Sequence, residues 1–562
     1  MLVDPSVLFN NTTTTTQPVL VFATRFNSIT MITSLLVYLV CTSLLYLLLK
    51  FRNRAIGTTK RAKSTFYEIP GWPLLGELPS MIINRSRNLE YGTIKALKHG
   101  VGFSLTIPGT RIIDVSKPEW LEYIQKTNFD NYVKGPLFRN IMSDVFGDGI
   151  FVSDGPSWKR ARQATSTIFT INTFKTIIGP ASERSMDGMA ELLKSAAEDN
   201  RSMDFCDLFF RFTLDSFVQM TFGEDLGEEK KGSPSRFFQG SIPFPVAFDH
   251  AQDQLDFRFS MIVGWQLVEK WVGSIGKRLQ ASCRVLDDCA YSLIDERMDQ
   301  LNRNVNDRET VCTDLLSLFM NALDERGGSL GRTELRDAAL NLIIAGRDTT
   351  AEALSWTFFH LLMNEDIISR IRREASEIFG EGDSNEHRVT YENYKRFTWA
   401  NAAVFEALRL HPSVPRNTKT AVADDQIPAG PTIQAGDLVR WSDWQMGRDA
   451  SLWGADCGEF LPDRWIDEKG SIKPHGQYKF HAFNAGPRIC LGMNLAMLQA
   501  VKVIVEVFKE FELAFAVGWL ENVPKSEAIE GITSRYPTPM YRASLTLPMA
   551  HPMMISVKHR LT

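Results

Sequence analysis

The chain reads as a mainly helical α+β protein: a helical body, a small β-rich lobe and one transmembrane helix at the amino-terminal end. Three observations predict this. Helical periodicity dominates from about residue 80 to 415, short strand-like pieces occur near Val101–Val115 and Ala543–Leu547, and Ile29–Leu49 is an uncharged run of 21 residues. Apolar residues every three to four positions mark a buried helix face, whereas alternation marks a strand. Helices with a small sheet bury their apolar faces in packed layers around one core.

The amino-terminal run (ITMITSLLVYLVCTSLLYLLL) is long enough to cross a bilayer. Lys50, Arg52, Arg54, Lys60, Arg61 and Lys63 follow it closely. Positive charge stays on the cytosolic side, so the segment after residue 50 is expected there and the first 28 residues in the lumen. Asn10 and Asn11 each open an Asn-x-Thr glycosylation acceptor in that tail. A cleaved signal peptide fits less well: the run is too long, the strongest charge follows it, and no small-residue cleavage site stands out. The expected division is a luminal tail (1–28), an anchor (29–49), a basic and proline-rich linker (50–79) and a body (80–562). Within the linker, Ile69-Pro70-Gly71-Trp72-Pro73-Leu74-Leu75-Gly76 reads as a stiff turn, because proline fixes φ and removes a donor.

Composition supports a deep core, with 44% hydrophobic and 23% charged residues. A net charge of −4 without a basic low-complexity tract implies no attraction to nucleic acid. Seven cysteines (41, 206, 283, 289, 312, 457 and 490) are scattered, with no Cys-x-x-Cys pair. That argues against a disulfide framework or a zinc site and for a reducing compartment.

Thr333 to about Leu362 is a long, mostly apolar helical stretch interrupted by Ala345-Gly346-Arg347-Asp348-Thr349-Thr350. Glycine and threonine are poor choices inside a buried helix. Thr349 can bond the Ala345 carbonyl four residues back, Gly346 removes a side chain where a ligand would approach, and both would open the helix locally. Asp348 beside Thr349 places an acid and an alcohol at one point. Glu406 and Arg409 meet on one face of an apolar helix over Ala400–Leu410, with Arg464 a further cation downstream. Trp158 and Arg162, four apart, also share a helix face. Finally, Phe483-Asn484-Ala485-Gly486-Pro487-Arg488-Ile489-Cys490-Leu491-Gly492 offers one thiol in a glycine-punctuated loop. Gly486 and Gly492 permit backbone angles that a Cβ forbids and a close approach to a flat cofactor. Arg488 is a fork suited to a carboxylate.

The last stretch, Phe-x-x-Gly-x-Arg-x-Cys-x-Gly, resembles the haem-binding loop of the cytochrome P450 family. The anchor, the proline-rich hinge and the motifs above follow that family's order across residues 29–492. The resemblance implies the cytochrome P450 fold, haem b with Cys490 as its axial thiolate, and Phe483, Gly486 and Gly492 shaping the loop. It further implies propionate contacts from Arg488, Trp158 and Arg162, with Arg416 as another cation within reach. Asp348 and Thr349 become the proton relay, and Glu406, Arg409 and Arg464 a buried structural network. A thiolate ligand favours O–O cleavage, and the intact acid–alcohol pair implies a monooxygenase. No Gly-x-Gly-x-x-Gly loop is present. The roughly 70 residues after the haem loop are too few for a flavin domain. Electrons would therefore come from NADPH–cytochrome P450 reductase, with cytochrome b5 as a second donor, docking near Lys159 and Arg160. The implied location is the endoplasmic reticulum membrane, single-pass, with the body facing the cytosol.

Phe129–Pro136, Gly147–Phe151, Met446-Gly447-Arg448 and Trp453–Cys457 resemble the fatty-acid ω-hydroxylases of plants and fungi. The expected substrate is a long-chain fatty acid or related lipid in a narrow apolar pocket. Its walls would be Leu137–Phe151, Ile344–Thr349, Val414–Thr418 and a turn at Leu547–Met549. The alternatives are tailoring of a fungal-type terpenoid or polyketide, or a non-catalytic haem-binding protein. The last would be expected to lack Asp348 or Thr349, and both are present.

Overall fold

The computed structural model describes residues 17–59, 66–223, 243–262, 264–303, 314–321, 328, 330–380 and 387–560. Asn10 and Asn11, with most of the expected luminal tail, and Lys60, Arg61 and Lys63 lie outside them.

The anchor is one helix, Gln17–Lys50, which begins well before Ile29. Its Met31–Lys50 portion is the one segment among the described residues long and apolar enough to cross a membrane. The proline-rich segment closes a tight turn in which Trp72 and Gly76 exchange backbone hydrogen bonds of 2.8 and 2.7 Å. Ile69 N–H donates to the Ser104 carbonyl (2.8 Å) and Glu77 N–H to Thr106 (2.7 Å), tying the linker to a strand of the body.

The strand-like piece at Val101–Val115 is a hairpin of Ser104–Ile107 and Thr110–Asp114. It opens a five-stranded sheet continuing through Leu438–Ser442 and Arg416–Ala421 to Tyr132–Val133. Thr110–Asp114 and Leu438–Ser442 run parallel and the other neighbours antiparallel. A second sheet joins Ser202–Asp204, Met554–His559 and Phe511–Phe515.

Ala543–Leu547 is not a strand. Its amides serve buried carboxylates instead of a ladder: Leu545 N–H donates to Asp256 (2.7 Å) and Leu547 N–H to Glu352 (2.9 Å). This also moves the expected cavity wall, because Leu547 turns into a cluster with Trp356 and Tyr541 while Ser544, Leu545 and Thr546 face the cavity.

The helical body is organised around Arg332–Leu362, whose buried residues run around its whole circumference. Such a helix must be wrapped on all sides. Phe205–Phe222, Ile275–Arg303, Thr398–Leu410 and Met493–Glu510 wrap it. Leu340, Leu354, Phe358 and Phe359 are fully buried there, and each such side chain contributes about 1.5–3 kcal/mol relative to exposure.

Candidate functional site

A cavity of about 1050 Å³ lies between the central helix, the Cys490 loop and the edge of the five-stranded sheet. Its walls include Leu137, Phe138, Ile141, Met142, Phe151, Ile344–Gly346, Thr349 and Val414–Thr418. The apolar portions match the walls expected from the sequence, apart from the late turn already described.

Cys490 faces this cavity, which is why its side chain is open although the loop lies deep in the protein. The loop holds its shape through local bonds. Asn484 adopts φ +59° and Gly486 φ +61°, and Cys490 N–H donates to the Phe483 carbonyl at 2.8 Å. A Cβ at Gly486 would strike the Gln125 carbonyl at 2.5 Å, so this glycine admits the close approach of the helical turn Tyr123–Thr127. Gly492 differs from expectation. Its φ is −84°, which any residue adopts. A Cβ there would sit 3.9 Å from Cys490 Sγ, in ordinary contact. Helix Met493–Glu510 begins immediately afterwards, aiming its amino terminus toward the thiol. Burial pushes the Cys490 thiol up, opposed by the Gly492 N–H and by Arg162.

Trp158 and Arg162 do share a face of helix Gly155–Ser166, with the Arg162 guanidinium 5.9 Å from the indole centroid. Arg162 Nη1 donates to the Ile489 carbonyl at 3.0 Å, beside the thiol. Arg488 lies over the same indole at 4.5 Å and donates to Asp154 (2.8 Å) and to the Ser153 carbonyl (3.0 Å). Two further cations join them that sequence spacing did not reveal, Lys134 and Lys419. Burial, with Arg488 next, lowers Lys134 to about 7, and it lowers Lys419 well below the usual lysine range. Asp154 is the carboxylate that opposes both. Lys419 Nζ and Arg488 Nε are buried without a hydrogen-bond partner among the described residues. Buried cations in such excess are costly unless an anion reaches them. A flat group carrying carboxylates, seated above Cys490, fits this donor set.

On the opposite wall, Thr349 Oγ1 donates to the Ala345 carbonyl at 2.6 Å, as its spacing predicts. The helix nevertheless runs unbroken through this point. Gly346 borders the cavity, yet a Cβ there would overlap the Phe217 ring at 1.7 Å, so packing against Phe205–Phe222 demands this glycine. Asp348 lies behind the cavity wall, 2% exposed, with the Gln252 side chain beside its carboxylate. Arg347 Nη1 stands 3.5 Å from Asp348 and 2.6 Å from Asp249, whose side chain is 58% exposed. Burial pushes the Asp348 carboxyl up against the pull of Arg347.

Away from the cavity, Glu406 and Arg409 form a two-pronged pair at 2.8 Å, and Arg464 Nε reaches Glu406 at 3.3 Å. Trp465 Nε1 and Leu461 N–H also donate to Glu406 (2.9 and 2.8 Å). Arg409 donates onward to the carbonyls of Gly447, Cys457 and Glu459. The sequence reading placed these three residues together, and the structure does so.

Residues 68–529 match the family described as Cytochrome P450. A cytochrome P450 monooxygenase, cyp1, of Mycosarcoma maydis is 37% identical over 534 residues, covering 94% of this chain and 80% of the relative. Cytochrome P450 86B1 of Arabidopsis thaliana is 32% identical, covering 80% of this chain and 81% of its own. The alkane hydroxylase MAH1 of Arabidopsis thaliana is 28% identical, covering 81% and 90%. The chain belongs to the cytochrome P450 monooxygenase family, oxidoreductases that bind haem b through a cysteine thiolate.

Proposed function

We propose that this monooxygenase hydroxylates a C–H bond of a long-chain fatty acid or related lipid, with Cys490 as the haem ligand. The observation that carries the reading is the cavity of about 1050 Å³, which brings Cys490, Thr349 and an extended apolar wall around one space. It has to hold the macrocycle as well as the substrate, and the remainder suits an elongated apolar chain. A relative named as an alkane hydroxylase supports an aliphatic chain.

When bound, haem uses two electrons to activate dioxygen, placing one oxygen atom in the substrate and releasing the other as water. The residues divide the remaining work. Cys490 would hold the iron as thiolate, its negative charge steadied by Arg162 and the Gly492 N–H. Arg488, Arg162 and Lys134, with Trp158 beside them, would meet the propionates, whose charge would add to that of Asp154 in opposing these buried cations. Burial pushes the Asp348 carboxyl up from the ordinary aspartate range, which suits it to pass a proton. Arg347 links it to Asp249 at the surface, and Thr349 Oγ1 presents a hydroxyl on the cavity side. The apolar walls exclude bulk water and orient the chain.

Electrons come from a separate reductase of the NADPH–cytochrome P450 type, with cytochrome b5 as a second donor, on the face bearing exposed Lys159. Arg160 on the same helix is paired with Glu334 at 3.1 Å. The apolar amino-terminal helix supports residence in a membrane, here read as that of the endoplasmic reticulum, where lipid substrates concentrate. The test is full-length enzyme with microsomal reductase, NADPH and a panel of long-chain fatty acids, with products read by mass spectrometry. A hydroxylated acid supports the proposal. Turnover of a terpenoid or polyketide with no acid oxidised would replace it.

A further inference from the structure

We propose that Arg416 and Arg440 form a carboxylate-binding subsite that seats the anionic head of a lipophilic acid at the sheet end of the cavity. The inference deepens the reading of lipid hydroxylation and rests on it.

Strand register brings the two arginines together. In the antiparallel pair Arg416–Ala421 and Leu438–Ser442, Thr418 faces Arg440 and Arg416 faces Ser442. Arg416 and Arg440 are therefore diagonal neighbours on one sheet face, within reach for long side chains. Both border the main cavity, and both also border an adjoining pocket of about 100 Å³ that contains Tyr91, Ser260 and Ser544.

Neither guanidinium donates a hydrogen bond to a described residue, and Arg416 has no ion pair among them. The carboxylate nearest Arg440 is Asp114, at 4.0 Å. Burial lowers Arg416 to about 10, which leaves it cationic at neutral pH. Of the other charges around the small pocket, Lys95 is bridged to Glu77, Arg85 is exposed, and the Asp256 carboxylate accepts the Leu545 N–H at 2.7 Å. Glu90 acts on Arg416 without forming an ion pair with it among the described residues. A planar carboxylate suits a guanidinium fork, which can meet both of its oxygens at once.

This pair is separate from the cations around Cys490. Arg162, Arg488, Lys134 and Lys419 act on one another, whereas the charges acting on Arg416 are Arg440, Tyr541 and Glu90. The propionates thus have their own partners, and the sheet-side arginines remain for the substrate. An acid head held there lays its chain along the cavity toward Cys490.

The experiment is a spectral titration of the haem-loaded, full-length enzyme with dodecanoic acid, methyl dodecanoate and 1-dodecanol. Wild type is expected to bind the acid at least about tenfold more tightly than the ester or alcohol. Arg416→Gln and Arg440→Gln should each narrow that preference to about twofold, with ester affinity unchanged. Equal affinity of wild type for acid and ester overturns the proposal, even if both are hydroxylated. So does loss of haem from Arg416→Gln with the acid preference intact in the loaded fraction, which would assign Arg416 to the propionates. Acid preference without any hydroxylated product upholds the subsite and defeats the proposed reaction instead.

Discussion

Glu406 and Arg409, three residues apart on one helix, meet through two 2.8 Å hydrogen bonds with side chains 0% and 1% exposed. At the surface such a pair contributes less than about 1 kcal/mol. Here every lone pair of the carboxylate is used, and Arg409 goes on to hold three carbonyls of the segment leading to the Cys490 loop. Glu406→Gln or Arg409→Leu leaves a buried charge unmatched and should cost about 3–5 kcal/mol. Haem content per polypeptide should collapse in both. Full haem loading of Glu406→Gln would contradict the network's role.

Thr349→Ala removes the hydroxyl on the cavity side while the helix beside it stays intact. Product per NADPH consumed should fall several-fold and hydrogen peroxide should rise by the corresponding amount. The check is simultaneous measurement of NADPH, peroxide and product; unchanged coupling would remove Thr349 from the relay.

Asp348→Asn keeps the shape of the side chain and abolishes its proton. General acid groups contribute roughly 10²–10⁴-fold, so product formation should drop by about 100-fold, with an enlarged solvent deuterium isotope effect. Arg347→Gln, which breaks the bridge to Asp249, should slow the reaction less. A rate within twofold of wild type for Asp348→Asn would sink the assignment.

Stability should fall with acidification through the buried histidine pair. His360 Nε2 and His411 Nδ1 lie 3.2 Å apart, and Trp356 stacks on His411 at 3.9 Å. Burial lowers His360 from 6.5 to about 3 and drives His411 well below its ordinary value. Below about pH 6.5 the unfolded chain takes up protons that the folded chain refuses, so stability drops as pH falls toward 3. Each histidine adds up to about 1.4 kcal/mol per pH unit over that window. Denaturant unfolding at pH 7 and pH 5 should show the loss, and His360→Phe should show less of it.

The parts of this site that were legible in the sequence are those set by short spacing. Glu406 with Arg409, Thr349 with the Ala345 carbonyl, and Trp158 with Arg162 are three or four residues apart, so helix geometry alone joins them. The Cys490 loop was legible because its glycine, arginine and cysteine lie within ten residues. What escaped depends on contacts distant in sequence. Lys134 and Lys419 join Arg488 only when the sheet assembles, and Arg416 meets Arg440 only through strand register. Gly346 borders the cavity as read, but the crowding that requires a glycine comes from Phe217, on another helix. The Ala543–Leu547 strand was misread because Asp256 and Glu352, hundreds of residues away, capture its amides.

Insertion of one atom of dioxygen into a lipid C–H bond at the Cys490 cavity is tested most directly by running the full-length enzyme with reductase, NADPH and dodecanoic acid under ¹⁸O₂ and locating the label by mass spectrometry. Hydroxydodecanoic acid carrying one ¹⁸O in the new hydroxyl is expected, and none from the Cys490→Ala variant. Product labelled from water, or equal product from Cys490→Ala, would contradict it.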